Sequence, residues 1–416
     1  MSSGNFSLPT SAELFVWSDD LDTREFIFAT YLVATGFSAI ETALGMAMEQ
    51  SAATSYIKNY VTPDMMDAWA IRVRRAEISN RPLKPYQVTP YFLPTEVYAG
   101  NKAPETYTYE IELAIPNRLV GGKPAQLLNV VIGELPRLGY ITAMQLIDIE
   151  FPPDFGCGPA FGQQGILNLL DKTQGPLLCR SMRPGLGLSL DVMVKLHHDV
   201  LLGGFHLVKD DELLYFPTND DFRRHVQAVV AARDEAIAQT GERKLYVANL
   251  LCEPDELEAR WEIACEAGVD AVLVAPFIQG LGTLLMLARR KKMPLLAHNT
   301  FSDLMYRHTS WGIDEAVAAK ILRELGADWV VMPGDFGRGE PAPEARAVVK
   351  AAIGDYTTRP AMMPILQGGK RPSELASYHA AVDNPNFMLI VASWVDGHPE
   401  GLINGARIFR NAVDAY

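Results

Sequence analysis

The fold is indicated by two stretches of sequence, GPLLCRSMRPGLGLS at residues 175–189 and GGFHLVKDDE at residues 203–212. Each joins a short apolar run to a polar or charged end, as a strand buried on both faces of a parallel sheet does. Six similar runs follow at regular spacing, bounded by Gly, Pro, Asn or charge. The eight predicted strands are Leu177–Met182, Gly203–Lys209, Lys244–Leu250, Ala271–Phe277, Met293–Asn299, Asp328–Gly334, Ala361–Gln367 and Asn386–Ser393.

Amphipathic segments separate these runs. Pro254–Gly268, Ile313–Gly326 and Pro372–Ala381 carry apolar residues at i, i+3 and i+4, and the first two end at Gly, which favours helices. Eight strand–helix pairs close naturally into a (β/α)8 TIM barrel, which takes about 250 residues. The sequence therefore predicts an α/β protein with a C-terminal TIM-barrel catalytic domain over residues 156–416.

The first 155 residues follow a different pattern. A long β-type segment at Glu25–Thr35 and a helix precede three strand-like segments, and a second helix leads to a last strand at Tyr140–Phe151. The three middle segments are Ala70–Ile78, Gln87–Leu93 and Thr106–Pro116. This order is that of a ferredoxin-like sandwich with one added strand. We predict an N-terminal ferredoxin-like α+β domain over residues 1–155.

The composition excludes several classes of partner. A formal charge of −13 and a pI near 5.1 argue against nucleic-acid binding, because phosphate backbones select basic surfaces. No apolar run approaches the ~20 residues that cross a bilayer, so a membrane is not an expected partner. The four cysteines include no CxxC pair and the first 19 residues do not resemble a signal peptide, which favours a cytoplasmic, disulfide-free protein.

The residues that end the barrel strands carry the candidate chemistry, since barrel active sites lie at that end. The second strand ends in Lys209-Asp-Asp-Glu212, and Asp211 and Glu212 offer the oxygen ligands that Mg²⁺ prefers. A solvated acidic turn is the alternative interpretation of this run. A buried lysine with a lowered pKa is nucleophilic, so Lys209 can react with CO2 to give a carbamate, a third oxygen ligand.

Other strand ends offer further candidates. The pair Gly368-Gly369 lies where barrels commonly bind phosphate through backbone N–H groups, although turns use glycine everywhere. His298 suits the polarisation of a substrate carbonyl, and a core histidine is the alternative. Histidines on helices or early loops, such as His197 and His225, are predicted to be structural.

These residues resemble the RuBisCO large-subunit family from about Glu25 to Ala412. Residues 175–189 resemble RPLLGTIIKPKLGLS, and residues 203–212 resemble the metal motif GGLDFTKDDE at the family's separation. TGERKLYVAN, GHPEG at 397–401 and AMEQSAAT at 47–54 also have counterparts in the family. The resemblance implies Mg²⁺ bound by a carbamylated Lys209 with Asp211 and Glu212.

The same resemblance assigns roles to residues outside the metal motif. Asn249 and His298 match active-site positions of the family. Glu49 and Thr54 match a loop that is donated to the barrel of a neighbouring subunit. The expected partners are therefore a second copy of the chain, in a homodimer or a multiple of dimers with shared active sites, and a small phosphorylated sugar-type substrate.

The chain departs from the carboxylases of the family at their catalytic positions. Arg183 and Gly185 replace the lysines of KPK, and an arginine stays protonated, so it cannot act as the general base of enolisation. Arg338 stands where the loop after strand six normally has a lysine. Glu134 replaces an asparagine near the end of the front domain's second helix and provides a carboxylate as a candidate base.

One of the two family phosphate sites is also altered. Asn299, Val331 and Gln367 replace an Arg, a His and a Ser at the distal site. The other site keeps most of its pattern, and its predicted residues are Thr54, Gly368, Gly369 and Ser393, beside Ala392. The sequence therefore predicts a substrate with one phosphate.

These departures are typical of RuBisCO-like proteins, called form IV. Members of that class enolise or isomerise substrates of methionine salvage, or decarboxylate or hydrolyse substrates of apiose breakdown. We favour the second group: a lyase acting on a 3-oxo sugar acid of the 3-oxo-isoapionate 4-phosphate type, with no CO2 fixation. A methionine-salvage enolase or isomerase, with Glu134 as base, is the alternative. A non-catalytic barrel is disfavoured because Lys209, Asp211 and Glu212 are all retained.

Overall fold

The computed structural model describes residues 12–52, 67–84, 106–185, 187–333 and 343–416. The chain divides into two compact units. One consists of Met1–Gly156 with Ser302–Ala318, and the other of Cys157–Phe301 with Ala319–Tyr416.

The first unit contains an antiparallel sheet. Its first four strands are β1 (Phe26–Thr35), β2 (Arg72–Ile78), β3 (Tyr107–Pro116) and β4 (Ile141–Glu150), and its helices are α1 (Ala39–Ala52), α2 (Asn117–Val120) and α3 (Pro124–Leu128). The strands pair in the order β4-β1-β3-β2. The described elements thus follow the ferredoxin-like order β-α-β-β-α-β. The strand predicted at Gln87–Leu93 lies outside the described residues.

Further strands follow β4 along the described chain. They are β5 (Leu177–Ser181), β6 (Leu207–Lys209), β7 (Leu245–Asn249), β8 (Ala271–Val274), β9 (Leu295–Ala297), β10 (Trp311–Ile313), β11 (Trp329–Val331), β12 (Met363–Leu366) and β13 (Met388–Ile390). All of these except β10 close into a parallel barrel in the order β11-β12-β13-β5-β6-β7-β8-β9. The predicted TIM barrel is therefore confirmed, and each of its strands falls within a predicted run.

Helices alternate with the barrel strands. They are α4 (Gly162–Leu169), α5 (Leu190–Leu202), α6 (Asn219–Thr240), α7 (Leu257–Ala267), α8 (Pro276–Gln279), α9 (Leu281–Ala288), α10 (Asp303–Tyr306), α11 (Glu315–Leu325), α12 (Pro343–Ile353), α13 (Leu375–Val382), α14 (Ser393–Asp396) and α15 (Leu402–Asp414). Apolar side chains from all eight barrel strands, together with Ile166 and Leu167 of α4, form one buried core. The barrel interior is packed, so a ligand has to bind at its rim.

The buried carboxylate of Asp328, just before β11, ties backbone segments of the barrel together. Its Oδ1 accepts the N–H groups of Phe161 and Gly162 at 2.8 and 2.7 Å, and its Oδ2 accepts that of Leu295 at 2.8 Å. Asp328 lies at the start of its strand, the end of the barrel that serves stability rather than catalysis.

The segment Ser302–Ala318 lies in the first compact unit of the structure. The sequence assigned it to the barrel domain over residues 156–416, whereas the structure groups it with the first unit. Its strand β10 pairs in parallel with β4, with Trp311 opposite Met144. Three residues are too short to show a periodicity of their own, and the pairing joins segments more than 160 residues apart, so the sequence pattern did not indicate it.

Two further observations concern the whole described chain. None of its described helices combines the length and the apolarity needed to span a bilayer. The four cysteines are all free.

Candidate active site

The ends of β5 and β6 form the centre of the candidate site, with Ser181 directly opposite Lys209. The side chain of Lys209 is 1% exposed. Its ammonium donates to Ser181 Oγ at 2.9 Å, to the carbonyl of Asp210 at 2.8 Å and to Glu212 Oε2 at 3.2 Å. Three acceptors therefore hold this buried lysine at the mouth of the barrel.

Both candidate carboxylate ligands face one guanidinium. Arg183 Nε lies 2.8 Å from Asp211 Oδ2, and Arg183 Nη2 lies 3.1 Å from Glu212 Oε1. Asp211 is fully buried, whereas half of the Arg183 side chain is exposed. Burial alone would raise the pKa of Glu212, but Lys209, then His298, a backbone hydrogen bond and Arg183 lower it, so the carboxylate is ionised at neutral pH.

His298 follows β9 and faces the same carboxylate. Burial lowers the pKa of His298, against the attraction of Glu212, so its ring is neutral at pH 7. Its Nδ1 accepts the backbone N–H of Thr300 at 3.2 Å. The proton of the neutral ring therefore belongs on Nε2, which lies 3.3 Å from Glu212 Oε2.

A second layer of polar residues lies beneath this centre, around the fully buried Asp210. Tyr246 Oη donates to Asp210 Oδ2 at 2.6 Å, the Asn249 backbone N–H donates to the same oxygen at 3.0 Å, and His225 Nε2 lies 2.9 Å from Oδ1. Burial opposes ionisation of Asp210, but His225 and His197 hold the pKa of this carboxyl far below its usual range. Asp210 stands between Lys209 and Asp211 in sequence, so this layer fixes the backbone that carries both.

Asn249 shapes the loop after β6. Its amide Nδ2 donates to the carbonyls of Asp211 and Leu214, both at 3.1 Å, and its Oδ1 accepts the N–H of Leu251 at 3.0 Å. The side chain is buried with both ends engaged. Its predicted contact with substrate stays a prediction, because in this arrangement the amide serves the loop.

A cavity of about 330 Å³ joins the lysine centre to the ends of β12 and β13. The predicted phosphate residues Gly368, Gly369 and Ser393 line it together with Arg183 and Lys209. The two glycines have φ values of +80° and +58°, which other residues rarely adopt. The structure thus brings Lys209 and Glu212 of the predicted metal set, and the predicted phosphate residues Gly368, Gly369 and Ser393, to one cavity.

Asp396, which lines the cavity, pairs with a buried arginine. The side chain of Arg180, in β5, is 2% exposed, and its Nε donates to Asp396 Oδ1 at 2.8 Å. Its Nη2 donates to the carbonyl of Arg183 at 3.1 Å. Arg180 therefore anchors both a carboxylate that lines the cavity and the backbone of Arg183.

Comparison with known proteins identifies the family. Residues 162–416 match the model of the ribulose bisphosphate carboxylase large chain, catalytic domain. The chain belongs to this family. A ribulose bisphosphate carboxylase-like protein of Archaeoglobus fulgidus is 28% identical over 410 residues, which cover 95% of this chain and 89% of that protein.

Two other relatives within the carboxylase family have named activities. A 3-oxo-isoapionate-4-phosphate transcarboxylase/hydrolase of Xanthobacter autotrophicus is 27% identical and covers 93% of each chain. A 2,3-diketo-5-methylthiopentyl-1-phosphate enolase of Geobacillus kaustophilus is 29% identical over 73% of this chain and 75% of the enolase. The octameric ribulose-1,5-bisphosphate carboxylase/oxygenase of Pyrococcus horikoshii shares the fold, with a TM-score of 0.83, 22% identity, and coverage of 97% and 93%.

The residues of this carboxylase-family chain fit a divalent cation. Asp211 and Glu212 both face the guanidinium of Arg183. The two carboxylates are therefore close enough to share one positive charge. Over the described residues, no three His, Cys, Asp or Glu side chains form a metal-binding cluster, so a third ligand has to come from another group. Lys209, 3.2 Å from Glu212, would provide it if carbamylated.

Four other predicted residues of the carboxylase pattern belong to the first unit or lie outside the described residues. Glu49, in α1, and Glu134 belong to the first unit, where Glu134 pairs with Arg137. Their roles towards the barrel stay predictions. Thr54 and Arg338 lie outside the described residues.

Sequence reasoning missed several site residues. Ser181 has no charge, and Arg180 and Asp396 are 216 residues apart, so no local pattern joins them. His225 was predicted to be structural, and it does lie on a helix, but its ring contacts the carboxylate between Lys209 and Asp211. The sequence did contain one signal of this layer. Asp210 lies in the acidic run but is not one of the predicted metal ligands, so its charge had to be balanced by another residue.

Proposed function

We propose that this chain is a Mg²⁺-dependent enzyme that forms or releases an enolate from a monophosphorylated ketose or 3-oxo sugar acid. The favoured reaction is carbon–carbon cleavage of a substrate of the 3-oxo-isoapionate 4-phosphate type. The observation that carries the proposal is an arginine, Arg183, beside the retained set of Lys209, Asp211 and Glu212, with Gly185 where carboxylases have a second lysine.

This combination suits a β-keto acid. An arginine binds carboxylates through its planar fork and does not remove protons. Loss of the carboxyl carbon needs no initial deprotonation, because the electron pair of the breaking C–C bond moves to the neighbouring ketone oxygen. Mg²⁺, when bound, stabilises that oxygen as a Lewis acid. His298, neutral and with its N–H directed at the centre, is placed to donate a hydrogen bond to a substrate oxygen.

The single phosphate of the proposed substrate would bind in the same cavity as its reacting end. Gly368, Gly369 and Ser393 line the same cavity as Lys209 and Glu212. We propose that these residues, with Thr54 from the partner subunit of a homodimer, hold the phosphate. Glu49 would reach the same shared site, and Arg338 would supply a further cation. The enzyme would act in the cytoplasm.

A methionine-salvage enolase or isomerase is the second candidate, supported by the similarity to the Geobacillus enolase. That reaction needs a base to start enolisation, and Glu134 is the proposed one. The two candidates differ in whether the substrate provides a leaving carboxyl group.

The deciding experiment offers the purified protein, with Mg²⁺ and bicarbonate, three substrates in parallel. They are 3-oxo-isoapionate 4-phosphate, 5-methylthioribulose 1-phosphate and ribulose 1,5-bisphosphate, followed by NMR and by labelled CO2. We expect reaction of the keto acid alone. Conversion of the thio-sugar without the keto acid would move the assignment to the second candidate, and labelled 3-phosphoglycerate would refute the absence of CO2 fixation.

A matched pair of lysine variants tests the metal set. Lys209→Ala is expected to abolish metal-dependent turnover. Lys195→Ala, which removes an exposed surface lysine paired with Asp199, should leave it unchanged. Turnover that survives both Lys209→Ala and EDTA would contradict the proposed cofactor.

A further inference from the structure

The ion pairs of Arg183 occupy the carboxylate oxygens that a metal ion needs. Asp211 Oδ2 and Glu212 Oε1 each accept a different N–H of one guanidinium, at 2.8 and 3.1 Å. Mg²⁺ binds its oxygen ligands at about 2.0–2.1 Å, so an ion at the meeting point of the two carboxylates would overlap the guanidinium. The guanidinium in its present position and an ion at that meeting point therefore exclude each other.

Gly185 makes this arrangement possible. A Cβ at residue 185 would lie 2.6 Å from Asp211 Oδ1 and 2.9 Å from its Cγ. Contacts this short do not occur, so any other residue would push the Asp211 carboxylate from its present position. Its position against Arg183 thus depends on two departures from the family pattern, the arginine and the glycine.

The surroundings of Arg183 allow the side chain to move while its backbone stays in place. The backbone carbonyl is anchored by Arg180 Nη2 at 3.1 Å. The side chain itself is 48% exposed and borders the cavity, so rotating it into the cavity exposes little buried surface. The charges also change in the required direction, because a carbamate turns Lys209 from a cation into an anion.

We propose that Arg183 is an internal counter-cation that competes with the divalent metal for Asp211 and Glu212. Metal binding displaces the guanidinium into the cavity, where it becomes available to a substrate carboxylate. This inference rests on the proposed function, because it assumes that the carboxylates and Lys209 bind a metal. It adds that the metal and the carboxylate-binding arginine are coupled, so the guanidinium is released from its two ion pairs, and free for a substrate carboxylate, only when the metal is present.

Metal affinity without substrate provides the first test. Mn²⁺ binding would be measured by electron paramagnetic resonance, with bicarbonate present, in the wild type, Arg183→Met, Arg183→Gln and the surface control Arg290→Met. We expect both Arg183 variants to bind Mn²⁺ at least about tenfold more tightly, because the ion no longer displaces a bidentate pair. Asp211→Asn should abolish this binding, which locates the ion.

Chemical labelling provides the second test. Phenylglyoxal modifies accessible guanidinium groups, and peptide mass spectrometry gives the rate at each arginine. We expect saturating Mg²⁺ to speed labelling of Arg183 severalfold and to leave the exposed Arg371 unchanged.

The outcomes separate the two levels of the proposal. Equal Mn²⁺ affinity in the wild type and the Arg183 variants, with binding lost in Asp211→Asn, would overturn the competition and keep the metal site. Slower labelling of Arg183 with Mg²⁺ would also overturn it. No Asp211-dependent binding in any folded variant would remove the metal site and the inference together.

Discussion

Tyr246→Phe removes one hydroxyl from the buried layer beneath the site, and its effect can be worked out from the structure. Tyr246 is fully buried, and its Oη donates to the ionised Asp210 at 2.6 Å. Burial raises the pKa of Tyr246 well above its usual value, so the group is a donor at any working pH. Without it, Asp210 Oδ2 keeps the N–H of Asn249 as its remaining donor among the described residues. Hydrogen bonds to charged groups contribute about 1.5–3 kcal/mol, so we expect the free energy of unfolding to fall by about 2 kcal/mol.

The matched control is Tyr356→Phe, which removes a hydroxyl that donates to the neutral carbonyl of Ala351 at 2.9 Å from an exposed residue. A neutral bond of this kind contributes about 0.5–1.5 kcal/mol. Pulsed hydrogen exchange across a urea series, read by mass spectrometry on peptides of β6 and β7, reports unfolding of the barrel unit alone. If the free energy of unfolding falls no more in Tyr246→Phe than in the control, Tyr246 does not donate to an ionised Asp210 as proposed. We also expect weaker Mn²⁺ binding in Tyr246→Phe, since Asp210 adjoins Lys209 and Asp211, two of the three proposed metal ligands.

Three further changes have defined outcomes. Burial raises the pKa of Asp328 to about 6, so protonation of this group stabilises the folded chain, and that stabilisation is lost as the pH rises from about 4 to 6. Asp328→Asn does not titrate, so the loss in free energy of unfolding that it causes should shrink by up to about 3 kcal/mol between pH 4 and pH 7, measured by urea unfolding. Gly203→Ala should lower the melting temperature, because the added methyl would lie closer to the Cβ of Ala406 than two carbon atoms can approach without a clash. Asp396→Leu should cost about 1–3 kcal/mol by leaving Arg180 unpaired, and adding Arg180→Met should restore most of it.

The barrel was predictable because its strands are buried on both faces and therefore read as apolar runs. Leu177–Ser181 and Met363–Leu366 fall inside their predicted runs, and the differences are confined to the ends, where the runs continue into loops. The meeting of Lys209 and Glu212 with the predicted phosphate residues Gly368, Gly369 and Ser393 followed from the same logic, since parallel strands place their carboxyl ends together.

Contacts between distant segments were not predictable. Arg183 was interpreted from its chemistry as a carboxylate binder, but its pairing with Asp211 and Glu212 depends on the path of the loop after β5 and on the small volume of Gly185. Neither the path of this loop nor the role of Gly185 produces a repeating pattern that could be recognised in the sequence. The same holds for the Arg180–Asp396 pair, which forms when the two ends of the barrel sequence meet.

The strand β10 has a consequence for the order in which the chain can mature on the ribosome. The front sheet is made by residue 156 except for this strand, which lies about 160 residues further along the chain. At about 5–20 residues per second, the outer side of β4 waits roughly 8–30 s for its last neighbour. An open strand edge invites pairing with other nascent chains, so slow translation or truncation after residue 156 should favour aggregation.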